Sequence, residues 1–338
     1  MGDGGVIYNT PDTDEKRVYR STTALEWTTP TGTKPAAGID LKAVVYDVSL
    51  GTYYAVGSGG SVVYSSDINN WTTLGSAATN TSETFNAIAS SGGTLVAVGD
   101  KGTIRYSTNG TTWTTPASIS EDISAINLRG VTYANGRWVA VGSNGKVLTS
   151  TSVGTWEVST HSGDLTAVAS GRYPLDGTAY YYLAVGADGT VLTSSDGITW
   201  TTDNVGAALR TAAVGTRLIA LGDGSAWYRE LAGTTWTAAS GASGNMRGMI
   251  RAQHIYTAVG AAGHARVQQA RHALEGPRLG PAELGIALVG GDDGAPGAGP
   301  GHDLGQVLDR QDLAGRIGRR VQPQQADPGG QRGIGQGS

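Results

Sequence analysis

An all-β chain is predicted for these 338 residues: a β-propeller of four-stranded blades, with six blades expected and seven the alternative. Three observations carry that prediction. An apolar pair ending in glycine recurs, at Gly57, Gly99, Gly142, Gly186, Gly222 and Gly260. A tryptophan follows each of the first five, at Trp71, Trp113, Trp156, Trp200 and Trp236, spaced 42, 43, 44 and then 36 residues apart. Between these landmarks lie short runs of Val, Ile, Tyr and Thr bounded by Gly, Asn and Ser, the pattern of strands joined by tight turns. Four strands in about 40 to 45 residues is the size of one propeller blade.

Residues 85–115 show the elements in order. Phe85, Ala87 and Ile88 open a first strand, Leu95–Gly99 form a second, Thr103–Ser107 alternate as a third, and Trp113 begins a fourth. One such sheet cannot bury both faces, whereas a ring of them packs each sheet on two neighbours. The ring is expected to close by splicing the two ends of the repeat region. Met246–Gly260 supply the inner two strands of the sixth blade, and Arg17–Pro30, with Trp27, supply its outer two. Closure of this kind leaves no open sheet edge.

The turn before each tryptophan has its own chemistry. Ser194-Ser195-Asp196-Gly197-Ile198-Thr199-Trp200 is the cleanest copy, and Ser107 to Trp113, with Asn109 and Gly110, is the next. Asp or Asn followed by Gly between strands is a hairpin signal, because Gly accepts positive φ and the Asx side chain bonds nearby backbone N–H groups. The copy at Asp67 lacks the glycine, the one before Trp156 lacks the acid, and the one before Trp236 lacks both Ser and Asp. These turns resemble the Asp-box, or BNR, repeat of sialidases and of many non-enzymatic propellers, written Ser-x-Asp-x-Gly-x-Thr-Trp. They are one residue shorter between Asp and Trp, so the resemblance is to the broad class. Similar short-turn repeats occur in bacteriophage tail and virion proteins, and the photosystem II assembly-factor propellers share the Ala-Val-Gly, strand, turn, Trp rhythm. The resemblance covers residues 17–263. In that class the Asp-box is a structural turn on the face away from the ligand, so it imports no catalysis.

Composition divides the chain at residue 263, with the propeller at 1–263. Residues 264–338 hold no Lys, Thr, Asn, Trp, Tyr or Phe, and six of the chain's eleven Pro. A Gly/Ala/Pro/Arg-rich segment of this kind reads as a poorly packed tail. A sharper reading comes from the codons. Read from their second base, the codons allowed for Gly263–Glu275 permit Gly-Thr-Leu-Val-Tyr-Ser-Arg-x-Gly-Thr-x-Trp-Lys, which is in register with Gly102–Trp113. A slipped reading frame accounts for the loss of the repeat. Within the tail, Ile286–Val289 is a candidate short strand.

The remaining bounds are mostly exclusions. A formal charge of −4 offers no basic excess for bulk nucleic-acid binding. No apolar stretch approaches the length of a membrane span, and Met1–Gly5 lacks the regions of a signal peptide, which fits synthesis in a bacterial cytoplasm or residence in a virion. With no cysteine there is no disulfide or thiolate metal site. His161 and His254 are too far apart in the repeat to suggest zinc, and no cofactor motif occurs, so neither metal nor cofactor is expected.

A candidate ligand-binding site emerges when the inner strands are aligned on their Leu/Phe-x-Ala/Gly-Val pattern. The x position is Lys42, Asn86, Arg129, Thr166, Arg210 and Arg247. First strands line a propeller's channel, so these positions form a ring at one channel end, and four of the six are basic. Such a ring suits an anionic ligand or partner. The plainer reading is that each pairs with a carboxylate or a carbonyl between blades. Loop residues Glu121, Asp122, His161 and Asp164 are either sugar contacts or solvated charges, and the insertion Arg172–Tyr180 is either a partner contact or a surface loop. The expected function is a non-catalytic interaction module: a phage tail or virion component that binds another virion protein or a cell-surface glycan. The rivals are a sialidase-like hydrolase, for which the inner strands carry no acid at the aligned position, and an assembly factor that docks an acidic partner.

Overall fold

The computed structural model describes residues 31–172, 179–239, 246–252, 255–260, 263–268 and 285–290. The chain divides into two compact units, Met1–Gly297 and Ala298–Ser338, and every described residue lies in the first. Six sheets, antiparallel apart from one added parallel strand, follow one another among the described residues. The first is β1 (Leu41–Asp47), β2 (Thr52–Gly57), β3 (Val62–Ser65) and β4 (Thr72–Leu74). The second is β5 (Phe85–Ser91), β6 (Thr94–Gly99) and β7 (Ile104–Ser107). After the short β8 (Ser118–Ile119), the third is β9 (Leu128–Ala134), β10 (Arg137–Gly142), β11 (Lys146–Ser152) and β12 (Thr155–Thr160). The fourth is β13 (Leu165–Arg172), β14 (Tyr180–Gly186), β15 (Thr190–Ser194) and β16 (Thr201–Asn204). The fifth is β17 (Leu209–Val214), β18 (Arg217–Gly222), β19 (Ala226–Glu230) and β20 (Thr237–Ala238). The sixth is β21 (Met246–Ala252), β22 (Ile255–Gly260), β23 (Gly263–Gln268) and β24 (Gly285–Gly290). Each sheet's first strand packs on the next, in the series β1, β5, β9, β13, β17, β21. The fold is an all-β propeller.

Two sheets depart from the four-strand expectation. In the second blade Tyr106 and Thr114 exchange both backbone hydrogen bonds, at 3.0 and 2.8 Å. The next such pair in that register would be Ile104 with Pro116. Proline has no N–H to donate, and the Ile104 carbonyl accepts from Arg105 Nη1 at 2.8 Å instead. The fourth strand stops after one bridge. The chain then runs on to the third blade, where β8 pairs in parallel with β12 and makes a five-stranded sheet. The sixth blade also differs from expectation. Its outer two places belong to β23 and β24, which follow β22 in sequence, not to Arg17–Pro30. A sequential hairpin costs less loop-closure entropy than a strand brought from the far end of the chain. Trp27 and Arg17–Pro30 lie outside the described residues.

The tryptophans mark the blade interfaces. Trp113 packs with Tyr54, Val56 and Val62 of the first blade, and Trp156 with Val96, Val98 and Ile104 of the second. Trp200 packs with Val139, Val141 and Val147 of the third, and Trp236 with Leu183, Val185 and Val191 of the fourth. Each ring therefore faces the preceding blade. Trp71 packs on the corresponding face of its own sheet, with Ile39, Tyr53, Ala55 and Val63.

The turns before them bond as their composition implies. Asp196 Oδ1 accepts from Ile198 N at 2.7 Å and Thr199 N at 2.8 Å, and Gly197 N donates to Ser194 Oγ at 2.8 Å. Asn109 and Ser107 repeat this arrangement around Thr111, Thr112 and Gly110. At Asp67 the pattern persists although Ile68 stands in the glycine's place at φ 65°. Backbone and side-chain donors from Asn70 draw the Asp67 carboxyl down to about 2. For Asp196, burial pushes upward but is outweighed by the N–H groups of Ile198 and Thr199, and the result is again about 2. Both carboxyls thus bind a proton less readily folded than unfolded, where the value is about 3.9. Their contribution is present above about pH 4 and lost as the pH falls toward about 2. Urea midpoints measured across this window should drop with acid, and Asp196→Ser should flatten part of that drop.

The recurrent glycine is required by a close approach. Gly57, Gly99 and Gly142 have φ of −171°, −163° and −163°, ordinary extended backbone. A Cβ on Gly99 would overlap the Thr84 carbonyl, and one on Gly57, Gly142 or Gly222 the carbonyl of Asp40, Asn127 or Ala208. Those same carbonyls accept from the residue after the glycine, as in Asp100 N to Thr84 O at 2.9 Å. Gly99→Ala is expected to cost about 2–3 kcal/mol through overpacking, read as a lowered urea midpoint with an unchanged slope.

Candidate functional site at the channel end

The aligned x position has a structural meaning in every blade. In each first strand the register to the second strand slips at this residue: Leu41 faces Gly57 and Ala43 faces Val56, so Lys42 is the extra residue of a β-bulge. The same slip leaves out Asn86, Arg129, Thr166, Arg210 and Arg247. A bulge re-aims one side chain out of the alternating pleat. Here it does so six times, beside the close-approach glycine, at one end of the inner strands.

What each side chain does with that freedom differs. Asn86 Nδ2 donates to Leu128 O of the next blade at 2.9 Å and to Asp100 Oδ1 at 2.8 Å. Arg129 Nη1 donates to Leu165 O of the next blade at 3.2 Å and lies 2.8 Å from Asp164 Oδ2. Thr166 Oγ1 lies 2.9 Å from Leu209 O of the next blade and 3.0 Å from Val185 O, and its one proton is shared between the two carbonyls. In all three the acceptor is the residue just before the next bulge. Lys42 and Arg210 stay within their own blades. Lys42 Nζ meets Asp40 Oδ2 at 2.6 Å, and Arg210 Nε and Nη2 meet Asp223 Oδ2 at 3.2 and 2.9 Å. Arg247 holds the same register place on β21, and its side chain lies outside the described residues.

The structure therefore brings the candidate residues to equivalent places and supplies carboxylates beside them. Those carboxylates escaped the sequence alignment because they are not on the inner strands. Their signal was nonetheless present: Asp40 and Asp164 directly precede a first strand, and Asp100 and Asp223 directly follow a recurrent glycine. Asp40, Asp164 and Asp223 face Lys42, Arg129 and Arg210, and Asp100 adds a fourth acid beside Asn86, so the described part of the ring is not an uncompensated cationic field.

The loop residues singled out with the ring are engaged locally. Glu121 pairs with Lys146, which also donates to Thr160 Oγ1. Asp122 Oδ1 accepts from Ser124 N at 2.9 Å. His161 Nε2 lies 3.1 Å from Ser159 Oγ, its ring stands edge-on to Trp200, and burial lowers its pKa. Of the insertion in the fourth blade, residues 173–178 lie outside the described residues. Among the described residues no His, Asp and Glu group is arranged to hold a metal ion, and no helix is long and apolar enough to cross a membrane.

No family model matches this chain, and no curated protein does. Solved structures match over most of it. YCF48 from Cyanidioschyzon merolae is 17% identical with a TM-score of 0.53, covering 73% of this chain and 87% of that one. YCF48 bound to D1 peptide is 15% identical with a TM-score of 0.57, covering 78% and 88%. The WD40 β-propeller domain of Doa1 is 9% identical with a TM-score of 0.55, covering 78% and 88%. At such identities the likeness is one of fold, and it agrees with the blades described above.

Ties between blades and pairs within a blade have different consequences for stability. Thr166→Val leaves the Leu209 carbonyl without its donor and is expected to cost about 1–2 kcal/mol. Lys42→Gln removes an exposed ion pair and should change stability by less than about 0.5 kcal/mol. Urea denaturation of the two variants beside the parent chain measures both.

Proposed function

We propose that this chain is a non-catalytic interaction module that docks a segment of a partner protein over the channel end carrying the six bulges, with Lys42, Asn86, Arg129, Arg210 and Arg247 as its polar contacts. The observation that carries the reading is the sixfold delivery of one side chain per blade to that end, in a register that Thr166 shares. Lys42 and Arg210 supply charged donors that no blade-to-blade tie consumes, and Asn86 and Arg129 frame them. The acids nearest these residues are engaged by the ring's own donors, which favours recognition over the acid and nucleophile pair that a glycoside hydrolase needs. A propeller of similar fold, YCF48, has been solved with a D1 peptide bound, so the architecture accommodates a peptide ligand. The finer assignment, a phage tail or virion component whose partner is another virion protein or a surface glycan, rests on the short Asp-box-like turns at Asp67, Asn109 and Asp196.

Binding of the full chain to a linear peptide array and to a glycan array tests this reading. Peptide binding is expected, and Lys42→Gln with Arg210→Gln should weaken it about tenfold while the melting midpoint stays unchanged. Binding to glycans alone would overturn the docking of a protein segment, and hydrolysis of a sialoside by the intact chain would overturn the non-catalytic reading.

A further inference from the structure

The outermost strand of the third blade is not its edge. β8 lies along β12, and four hydrogen bonds hold this segment there. Ala117 N and Ser118 N both donate to Gly154 O, at 2.8 and 3.3 Å, Ser120 N donates to Trp156 O at 2.9 Å, and Val158 N donates to Ser120 Oγ at 2.9 Å. Ile119 turns inward to the cluster around Trp156. The first blade is covered in a related way, with Trp71 N donating to Thr33 O at 2.8 Å and Thr33 N to Asn70 Oδ1 at 3.1 Å. Where a segment runs along the outer strand the tryptophan is sealed, at 2% exposure for Trp71 and 1% for Trp156.

The fourth blade has the same outer strand without a cover among the described residues. Counting back from the tryptophan, Ile198, Trp200 and Thr202 stand where Gly154, Trp156 and Val158 stand in the third blade. Their backbone groups point the same way. Val205 N donates to Gly189 O, and alternation along the β15–β16 register then turns Thr201 and Asp203 inward and Thr202 and Asn204 outward. Thr201, Thr202 and Asn204 are exposed, Trp200 is only partly buried, and Ile198 is 54% exposed beside this edge.

We infer that the outer edge of β16 is a second interaction surface, which takes an extended segment of a partner protein by parallel strand addition. The chemistry of that segment is read from the one the chain uses on itself, Pro116-Ala117-Ser118-Ile119-Ser120. It has small and polar residues that keep the backbone close, one β-branched apolar residue to cover the tryptophan, and a hydroxyl to accept the outward N–H. Main-chain hydrogen bonds supply the affinity, and the alternate side chains supply the choice of partner. This surface is separate from the channel end and does not depend on what binds there.

The test is an amide chemical-shift titration of the intact protein with the synthetic peptide Pro-Ala-Ser-Ile-Ser, amidated at its C-terminus. The expected result is millimolar binding, with shifts clustered at residues 198–204. The same peptide N-methylated at both serines loses two donors and should produce no shifts. Thr202→Pro removes the outward N–H at an edge position where proline is tolerated, and should abolish binding while keeping the spectrum of the folded state. The inference is overturned if the shifts fall at Lys42 and Arg210, if the N-methylated peptide binds equally, or if millimolar peptide moves no amide of β16.

Discussion

The crossing of each first strand over the glycine that ends the second strand is the constraint on which this propeller depends. The carbonyl that approaches Gly99 is the one that accepts from Asp100 N, and the residue two positions after that carbonyl is Asn86, the bulge. A side chain on the glycine would push the strands apart, and the bulge would lose the register that re-aims its side chain. One local steric requirement thus connects the shape of each blade to the direction of the group that reaches the next blade. Small residues two places into the first strands serve the same closeness. At Gly130 a Cβ would stand 2.9 Å from Val168 N of the neighbouring blade.

Repetition then lets the chain use one place for two purposes. In the second, third and fourth blades the bulge residue donates to a carbonyl of the following blade, whether it is Asn, Arg or Thr. What matters there is a donor of suitable reach, and charge is incidental. In the first and fifth blades the cation turns back to a carboxylate of its own blade. Exposed pairs of that kind contribute little to stability, so they leave Lys42 and Arg210 available for recognition at small cost. On the proposed reading Lys42 and Arg210 are contacts outside the blade-to-blade ties, whereas Asn86 and Arg129 are tie and contact at once.

Edges are handled by borrowing. The second blade gives up its fourth strand at Pro116, and the freed chain covers the outer strand of the third. Ile123 and Ile126 from the same stretch enter the core around Trp156 and Ile104, so the apolar contribution of the missing strand is replaced, and Arg105 Nη1 takes over the bond to the Ile104 carbonyl. The outer strands thus differ in how much backbone they leave outward-facing, and such unpaired groups are what strand addition uses.

How much could be read from the sequence follows from the range of each interaction. The blades, their order, the interface tryptophans and the turns at Asp67, Asn109 and Asp196 were all legible, because each is set within a few residues and repeated. The alignment that grouped Lys42, Asn86, Arg129, Thr166, Arg210 and Arg247 was legible for the same reason. Their partners were not. Whether Arg129 meets Leu165 O and Asp164, or turns back as Arg210 does to Asp223, depends on the placement of a neighbouring blade or a following loop, which no local pattern encodes. The third and fourth strands of the sixth blade show the same limit. Side-chain patterning pointed to Arg17–Pro30, whereas β23 and β24 take those places. Sheet pairing is made by backbone groups that every residue except proline carries in full, so the tertiary structure alone decides which strand completes a blade.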